Sequence, residues 1–132
     1  MHIIKDSTAI ILQEEVILQV LDRFSETSRQ NPNKFFIFGL MDCSKQNLSR
    51  RAWNLMNFGM DGVALSCEKL QKLQISLTSK IMMQLFRIME DRQAYLLISL
   101  GEEMNVMEEL HKVVAECTHL KIVLWDTRTM VN

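Results

Sequence analysis

The chain has 132 residues, of which 48% are hydrophobic and 23% charged, and its formal net charge is −1. This composition predicts one globular domain over residues 1–132 with a single substantial core. The near-neutral charge gives no bulk attraction to nucleic acid or anionic membranes, and no apolar run approaches the roughly 20 residues that span a bilayer. We therefore expect neither nucleic acid as a partner nor direct membrane insertion.

The cysteines and histidines predict a protein without disulfides or metal. Cys43, Cys67 and Cys117 are odd in number and widely spaced, and the N-terminus lacks the pattern of a signal peptide. We therefore expect three reduced thiols and a cytoplasmic location. The sequence contains neither a metal-ligand cluster of His and Cys nor a glycine-rich phosphate loop, so we expect no metal and no cofactor.

The chain alternates short apolar runs with segments of helical periodicity. Strands are predicted near residues 8–13, 35–41, 63–67, 94–100 and 121–125. Helices are predicted over 14–30, over 42–58 with a cap at Asp42 or Ser44, over 77–92 and over 102–117. This alternation indicates an α/β fold: a mostly parallel five-stranded sheet with four helices packed on it, for example a doubly wound three-layer sandwich.

The apolar residues of the last two helices predict which side of each helix is buried. In the helix over 77–92 the predicted buried residues are Ile81, Leu85, Ile88 and Met89. In the helix over 102–117 they are Met107, Leu110, Val114 and Cys117. Ten methionines add to an apolar surplus beyond what four short helices need, which predicts a symmetric dimer.

A group of hydroxyl side chains marks one candidate regulatory site. Ser76, Thr78 and Ser79 precede the helix over 77–92, and Met82 follows them in its first turn. The hydroxyls suit helix capping, and the helix N-terminus favours a negative charge. From the sequence alone, Ser76→Asp is therefore expected to leave the melting temperature nearly unchanged while weakening the capture of a protein partner.

An alternative site lies where the predicted strands end. Asp42, Cys43 and Glu68 follow the second and third strands, at the edge where α/β proteins bind ligands. Cys43 lies near a predicted helix N-terminus, where a reactive thiol would be stabilised. Asp42 follows a strand, as the phospho-acceptor of a receiver-like domain does. The acidic pair that such a domain has after its first strand is missing, because Glu14 and Glu15 fall inside the first predicted helix. A small enzyme or ligand-binding protein therefore remains an alternative.

The layout from residue 34 to 127 resembles the STAS domain, the family of sulfate-transporter tails and anti-sigma-factor antagonists. The segments that carry the likeness are Phe35–Met41, Asp42–Phe58, Val63–Leu70, Gln74–Leu77, Tyr95–Leu100 and Ile122–Thr127. The family opens a helix with an acidic-Ser-Ser/Thr-Gly motif, and at that place Ser76 keeps the phosphorylatable type between Ile75 and Leu77. The resemblance implies a non-catalytic regulatory domain that binds another protein and is phosphorylated at Ser76. Residues 1–33 form an extension before the STAS-like region.

Overall fold

The fold is of the α/β class, with α-helices packed on a parallel β-sheet. The computed structural model describes residues 8–17, 35–100 and 105–126. Its strands are β1 (Thr8–Gln13), β2 (Phe35–Leu40), β3 (Gly62–Ser66), β4 (Tyr95–Leu100) and β5 (Lys121–Asp126). The helices that lie wholly within these residues are α1 (Leu48–Asn57), α2 (Cys67–Lys72), α3 (Lys80–Asp91) and α4 (Asn105–Glu116), and residues 14–17 are helical. The predicted fold class is confirmed. The remainder of the predicted helix over 14–30 lies outside the described residues.

The strands lie in the sheet in the order in which they occur in the chain, from β1 to β5. Every neighbouring pair is parallel. Crossovers between parallel strands are almost always right-handed, so an unbroken order places each connecting helix on the same side of the sheet. The doubly wound arrangement that the sequence suggested as an example has a switch point at which the order reverses, and these five strands have none, so the confirmed class is α/β with one parallel sheet.

The two faces of the sheet carry separate apolar clusters. The larger cluster joins the buried side chains of all four helices to one face of the strands, represented by Ile37, Val63, Leu65, Leu96, Ile98 and Ile122. The smaller cluster, on the opposite face, contains Phe38, Ala64 and Leu97. Within the described residues, therefore, α1 to α4 all pack on one face, as the strand order requires.

The predicted buried stripes of α3 and α4 are confirmed at Leu85, Met89, Leu110 and Cys117 and wrong at Ile81, Met107 and Val114, and Ile88 is half-buried. In α3 the buried residues are Met82, Leu85, Phe86 and Met89, whereas Ile81 is 61% exposed. In α4 they are Val106, Leu110 and Val113, followed by Cys117, whereas Met107 and Val114 are each 37% exposed. Both helices have apolar residues on adjacent stripes, and packing against the sheet selects one of them. In α1 the predicted residues Leu48, Ala52, Leu55 and Met56 are buried as expected.

The helix starts differ from the sequence-based expectation at two places. Helix α1 begins five residues later than Asp42 suggested, after Asn47, whose backbone is left-handed with φ of 61° and whose side chain makes no cap bond. Helix α2 was not predicted. It begins directly at the end of β3, where the Ser66 hydroxyl accepts a hydrogen bond from the backbone N–H of Lys69. Cys67, predicted to lie in the strand, is therefore the first residue of a helix.

Candidate functional site

A cleft of about 560 Å³ opens at the carboxyl ends of β1, β2 and β3. Its apolar lining comes from Leu40, Met41, Leu70 and Leu73. Its polar lining comes from Gln13, Glu14, Glu15, Asp42, Cys43, Ser44, Lys45, Arg51, Ser66, Lys69 and Lys72. Ligand sites in proteins have volumes of roughly 300–1,000 Å³ and combine an apolar lining with a few polar groups, so the size and the mixed lining suit a small molecule.

Arg51 holds one wall of this cleft together. Its Nη1 donates to Oε1 of Glu14 at 2.6 Å, its Nη2 donates to the carbonyl oxygens of Asp42 at 2.8 Å and Lys45 at 3.0 Å, and its Nε donates to that of Gln46 at 3.0 Å. The same Glu14 oxygen accepts the backbone N–H of Asp42 at 3.1 Å. The charged pair is about four-fifths buried, at 20% and 19% side-chain exposure. The Arg51–Glu14 pair therefore fixes the loop over 41–47 against the helical turn after β1.

Sequence reasoning missed this role, because two arginines at a helix start usually form a solvated face. Arg51 and Glu14 are 37 residues apart. A carboxylate directly after a first strand, together with an arginine in a later helix, is a weak signal that could have suggested the pair.

The structure brings two of the three alternative site residues to the cleft. Asp42 accepts hydrogen bonds from the backbone N–H and the hydroxyl of Ser44, and these bonds lower the pKa of its carboxyl group. Burial raises the pKa of the Cys43 thiol to about 11. Glu68 does not line the cleft; it lies on α2 with its carboxylate 3.4 Å from Nζ of Lys72. Desolvation outweighs the nearby arginine, so this position does not favour the thiolate that the reactive-thiol alternative needs.

The acidic residues at the strand ends are already engaged by cations. Glu15 and Asp42 lie 3.5 Å and 4.0 Å from Nζ of Lys45, and Glu14 is held by Arg51. Across residues 8–17, 35–100 and 105–126, no group of three or more His, Cys, Asp or Glu residues is arranged to hold a metal ion. The acidic site that a receiver-like phospho-acceptor needs around Asp42 is therefore not formed by these carboxylates.

A second polar cluster lies in the loop between α2 and α3. The Ser76 hydroxyl donates to Oε1 of Glu109 on α4 at 2.6 Å and accepts the backbone N–H of Thr78 at 3.2 Å. Its oxygen also lies 2.9 Å from the Thr78 hydroxyl, which must be the donor because the single Ser76 proton is used. Ser76 is half-buried and Thr78 is exposed. Ser76 therefore connects its own loop to α4.

The remaining residues of the predicted regulatory site have structural roles. Ser79 is the N-cap of α3, and its hydroxyl accepts the backbone N–H of Met82 at 3.4 Å. Met82 itself is 1% exposed and packs in the large core cluster, so its side chain is not available to a partner as expected from the sequence. Leu77 is also buried, at 2% exposure, and anchors the loop. The accessible polar residues of this site are Ser76 and Thr78, supported by Glu109, which no sequence pattern singled out.

Comparison of the chain with protein-family models finds no match, and comparison with curated proteins finds none either. None of the helices in the described part of the chain combines the length and the apolar character needed to cross a bilayer.

Proposed function

We propose that this protein is a non-catalytic regulatory domain of STAS-like layout that binds another protein through the loop before α3. The observation that carries the proposal is the hydrogen bond from Ser76, a half-buried hydroxyl, to the carboxylate of Glu109 on α4. The order of elements also supports it. From β2 onward the chain runs strand, helix, strand, the short helix α2, a loop that opens α3, strand, helix and strand, and apart from α2 this is the order of the family that the sequence resembles.

Phosphorylation of Ser76 would change the shape of this region. A phosphoryl group removes the hydroxyl proton that Glu109 accepts and adds a charge of about −1.5 to −2. The new charge would stand beside the Glu109 carboxylate, so repulsion would drive the loop away from α4. Leu77 and Ser79 still anchor the loop on either side of Thr78, which confines the change to a few residues. The modification would therefore alter a local contact surface without unfolding the domain.

Exposed apolar side chains provide the surrounding contact area. Ile81 lies in the first turn of α3 and is 61% exposed, and Met107 lies in the first turn of α4 and is 37% exposed. The Ser76–Glu109 hydrogen bond joins the loop before α3 to the N-terminal half of α4, so the first turns of both helices lie at the same end of the helical layer as Ser76. A partner that covers this edge would remove both side chains from water. We place the domain in the cytoplasm, where its three free thiols would stay reduced. A second copy of the chain is one candidate for the partner.

The test measures partner binding with matched charge variants. A partner is first captured from native lysate, then purified, and its affinity is measured for the parent, Ser76→Ala and Ser76→Asp. Thr118→Asp is the control, because Thr118 is exposed after the end of α4, away from the loop. We expect Ser76→Asp to weaken binding at least tenfold, with Thr118→Asp and Ser76→Ala close to the parent. Equal affinities for all four proteins would contradict the proposal.

A second candidate function is the binding of a small molecule in the cleft at the strand ends. The observation that favours it is the size of the cleft, about 560 Å³, at the carboxyl edge of a parallel sheet. The raised pKa of Cys43 and the engaged carboxylates supply no nucleophile or general base, so the function would be binding. Chemical-shift changes at the cleft-lining amides on addition of a small molecule would support it.

A further inference from the structure

The charges around the cleft are unevenly distributed. Four cationic groups and three carboxylates line it. The carboxylates are on the side of β1 and β2, where Arg51 and Lys45 neutralise them. The opposite side is formed by α2, which contributes Lys69 and Lys72 to the lining but no acidic residue. The cleft therefore has an internally neutralised wall facing a basic one.

Lys69 is the cation of this basic wall that lacks a counter-ion. Lys72 is 3.4 Å from Glu68, outside the cleft, and that pair is more than two-thirds exposed. No ion-pair partner of Lys69 occurs among residues 8–17, 35–100 and 105–126. The two lysines are three residues apart on a helix, so they stand on the same side of it. Together they form a site that attracts an anionic group at the edge of the cleft.

Apolar side chains continue from this basic wall into the cleft. Leu73 lines the cleft and is 41% exposed, so its side chain is accessible to a ligand. Met41 and Leu70 complete the apolar lining on this side, whereas the Leu40 side chain packs against the Phe38 cluster on the opposite face of the sheet. A ligand with an apolar body would cover Leu73 beside Met41 and Leu70, and its head group would reach Lys69.

We infer that the cleft binds a small amphipathic anion, with an apolar chain over Leu73 beside Met41 and Leu70 and an acidic head group at Lys69 and Lys72. This inference rests on the second candidate function, small-molecule binding, and adds the chemical class of the ligand. It does not depend on the regulatory role of Ser76.

The test uses three probes with one apolar body and different head groups: octanoate, octanamide and octylammonium. Each is titrated into the ¹⁵N-labelled protein, and the shifts of the backbone amides of Asp42, Ser66 and Leu73 report binding in the cleft. We expect octanoate to bind at least about threefold more tightly than octanamide, the factor expected from a partly screened ion pair. We expect octylammonium to bind most weakly, and added salt to reduce the advantage of octanoate.

Variants assign the preference to the basic wall. The double variant Lys69→Gln/Lys72→Gln should bind octanoate and octanamide equally, with the octanamide affinity unchanged. Lys112→Gln, at an exposed lysine on α4 outside the cleft, should behave as the parent. Equal binding of octanoate and octanamide to the parent, or tightest binding of octylammonium, overturns the inference and leaves small-molecule binding standing. If none of the probes shifts the cleft amides, the inference and the second candidate function both fail.

Discussion

Replacing Ser76 by Asp directly tests the contact between the α2–α3 loop and α4. The parent hydroxyl donates to the Glu109 carboxylate at 2.6 Å. An aspartate at this place has no proton to donate at neutral pH and brings a second carboxylate to the same position. The helix dipole compensates little, because the N-cap of α3 is Ser79 and not Ser76. The structure therefore reverses the sequence-based expectation that the melting temperature stays unchanged.

The size of the effect follows from two contributions. A hydrogen bond to a charged group contributes about 1.5–3 kcal/mol, and because Ser76 is only partly buried we expect this bond to contribute about 1 kcal/mol. Two carboxylates about 4 Å apart repel by about 1 kcal/mol when water screens them. We therefore expect Ser76→Ala to lower the free energy of unfolding by about 1 kcal/mol and Ser76→Asp by about 2 kcal/mol. For a domain of this size, the larger change lowers the melting temperature by roughly 8 °C.

Urea unfolding at pH 7 of five proteins measures the two contributions separately: the parent, Ser76→Ala, Ser76→Asp, Glu109→Gln and the double variant Ser76→Asp/Glu109→Gln. The double variant should recover about 1 kcal/mol relative to Ser76→Asp, since the amide removes the repulsion while the lost hydroxyl remains lost. A Ser76→Asp protein as stable as Ser76→Ala, with no recovery in the double variant, would show that the two side chains do not meet in solution. The reasoning about the phosphoryl group would then fail with it.

Three further substitutions test the packing and the ionisation of the sheet, each by urea unfolding. Gly62→Ala should lower the free energy of unfolding by more than about 3 kcal/mol, because the added Cβ would lie 1.8 Å from the Tyr95 carbonyl oxygen; parent-like stability would refute this close approach. Ile98→Asp should abolish cooperative unfolding, since its side chain is fully buried and the charge would be unpaired; a cooperative transition would contradict its burial. Asp61→Asn should stabilise the protein more at pH 7 than at pH 4. Burial raises the pKa of the Asp61 carboxyl group in the folded state. The stability that the protonated carboxyl group contributes is therefore present at low pH and is lost as the pH rises through that pKa. The side-chain amide of Asn at position 61 can still accept the hydrogen bond from the Ile37 N–H. If Asp61→Asn is less stable than the parent at pH 7, this hydrogen bond needs the carboxylate.

The strands were predictable from the sequence because each is a short apolar run bounded by polar residues, and their observed ends lie within one residue of the predicted ones. The buried face of a helix was less predictable. In α3, Ile81 and Met82 are adjacent and both apolar, and only contact with the sheet decides that Met82 is buried. Helix α2 has six residues, too few for a periodic pattern to emerge.

The candidate sites depend on contacts between residues far apart in the chain. Ser76 and Glu109 are separated by 33 residues, and no local pattern pairs a loop serine with one glutamate among several. The sequence could place Ser76 and Asp42 at helix starts and strand ends. It could not show which acceptor or cation each neighbourhood contains, because that depends on how α1, α2 and α4 pack.

The unbroken strand order has a consequence for how the chain assembles. Paired residues in neighbouring strands are separated by 24 residues (Phe38 to Gly62) to 33 residues (Gly62 to Tyr95), so each strand docks on the one completed just before it. Such a domain can grow during synthesis by adding one strand and its helix at a time, much as repeat proteins extend by nearest-neighbour contacts. Within the described strands, β1 and β5 each have one neighbour, whereas β3 is flanked on both sides. Amide hydrogen exchange should therefore be slowest in β3 and faster toward both edges, so that opening begins at the rims of the sheet.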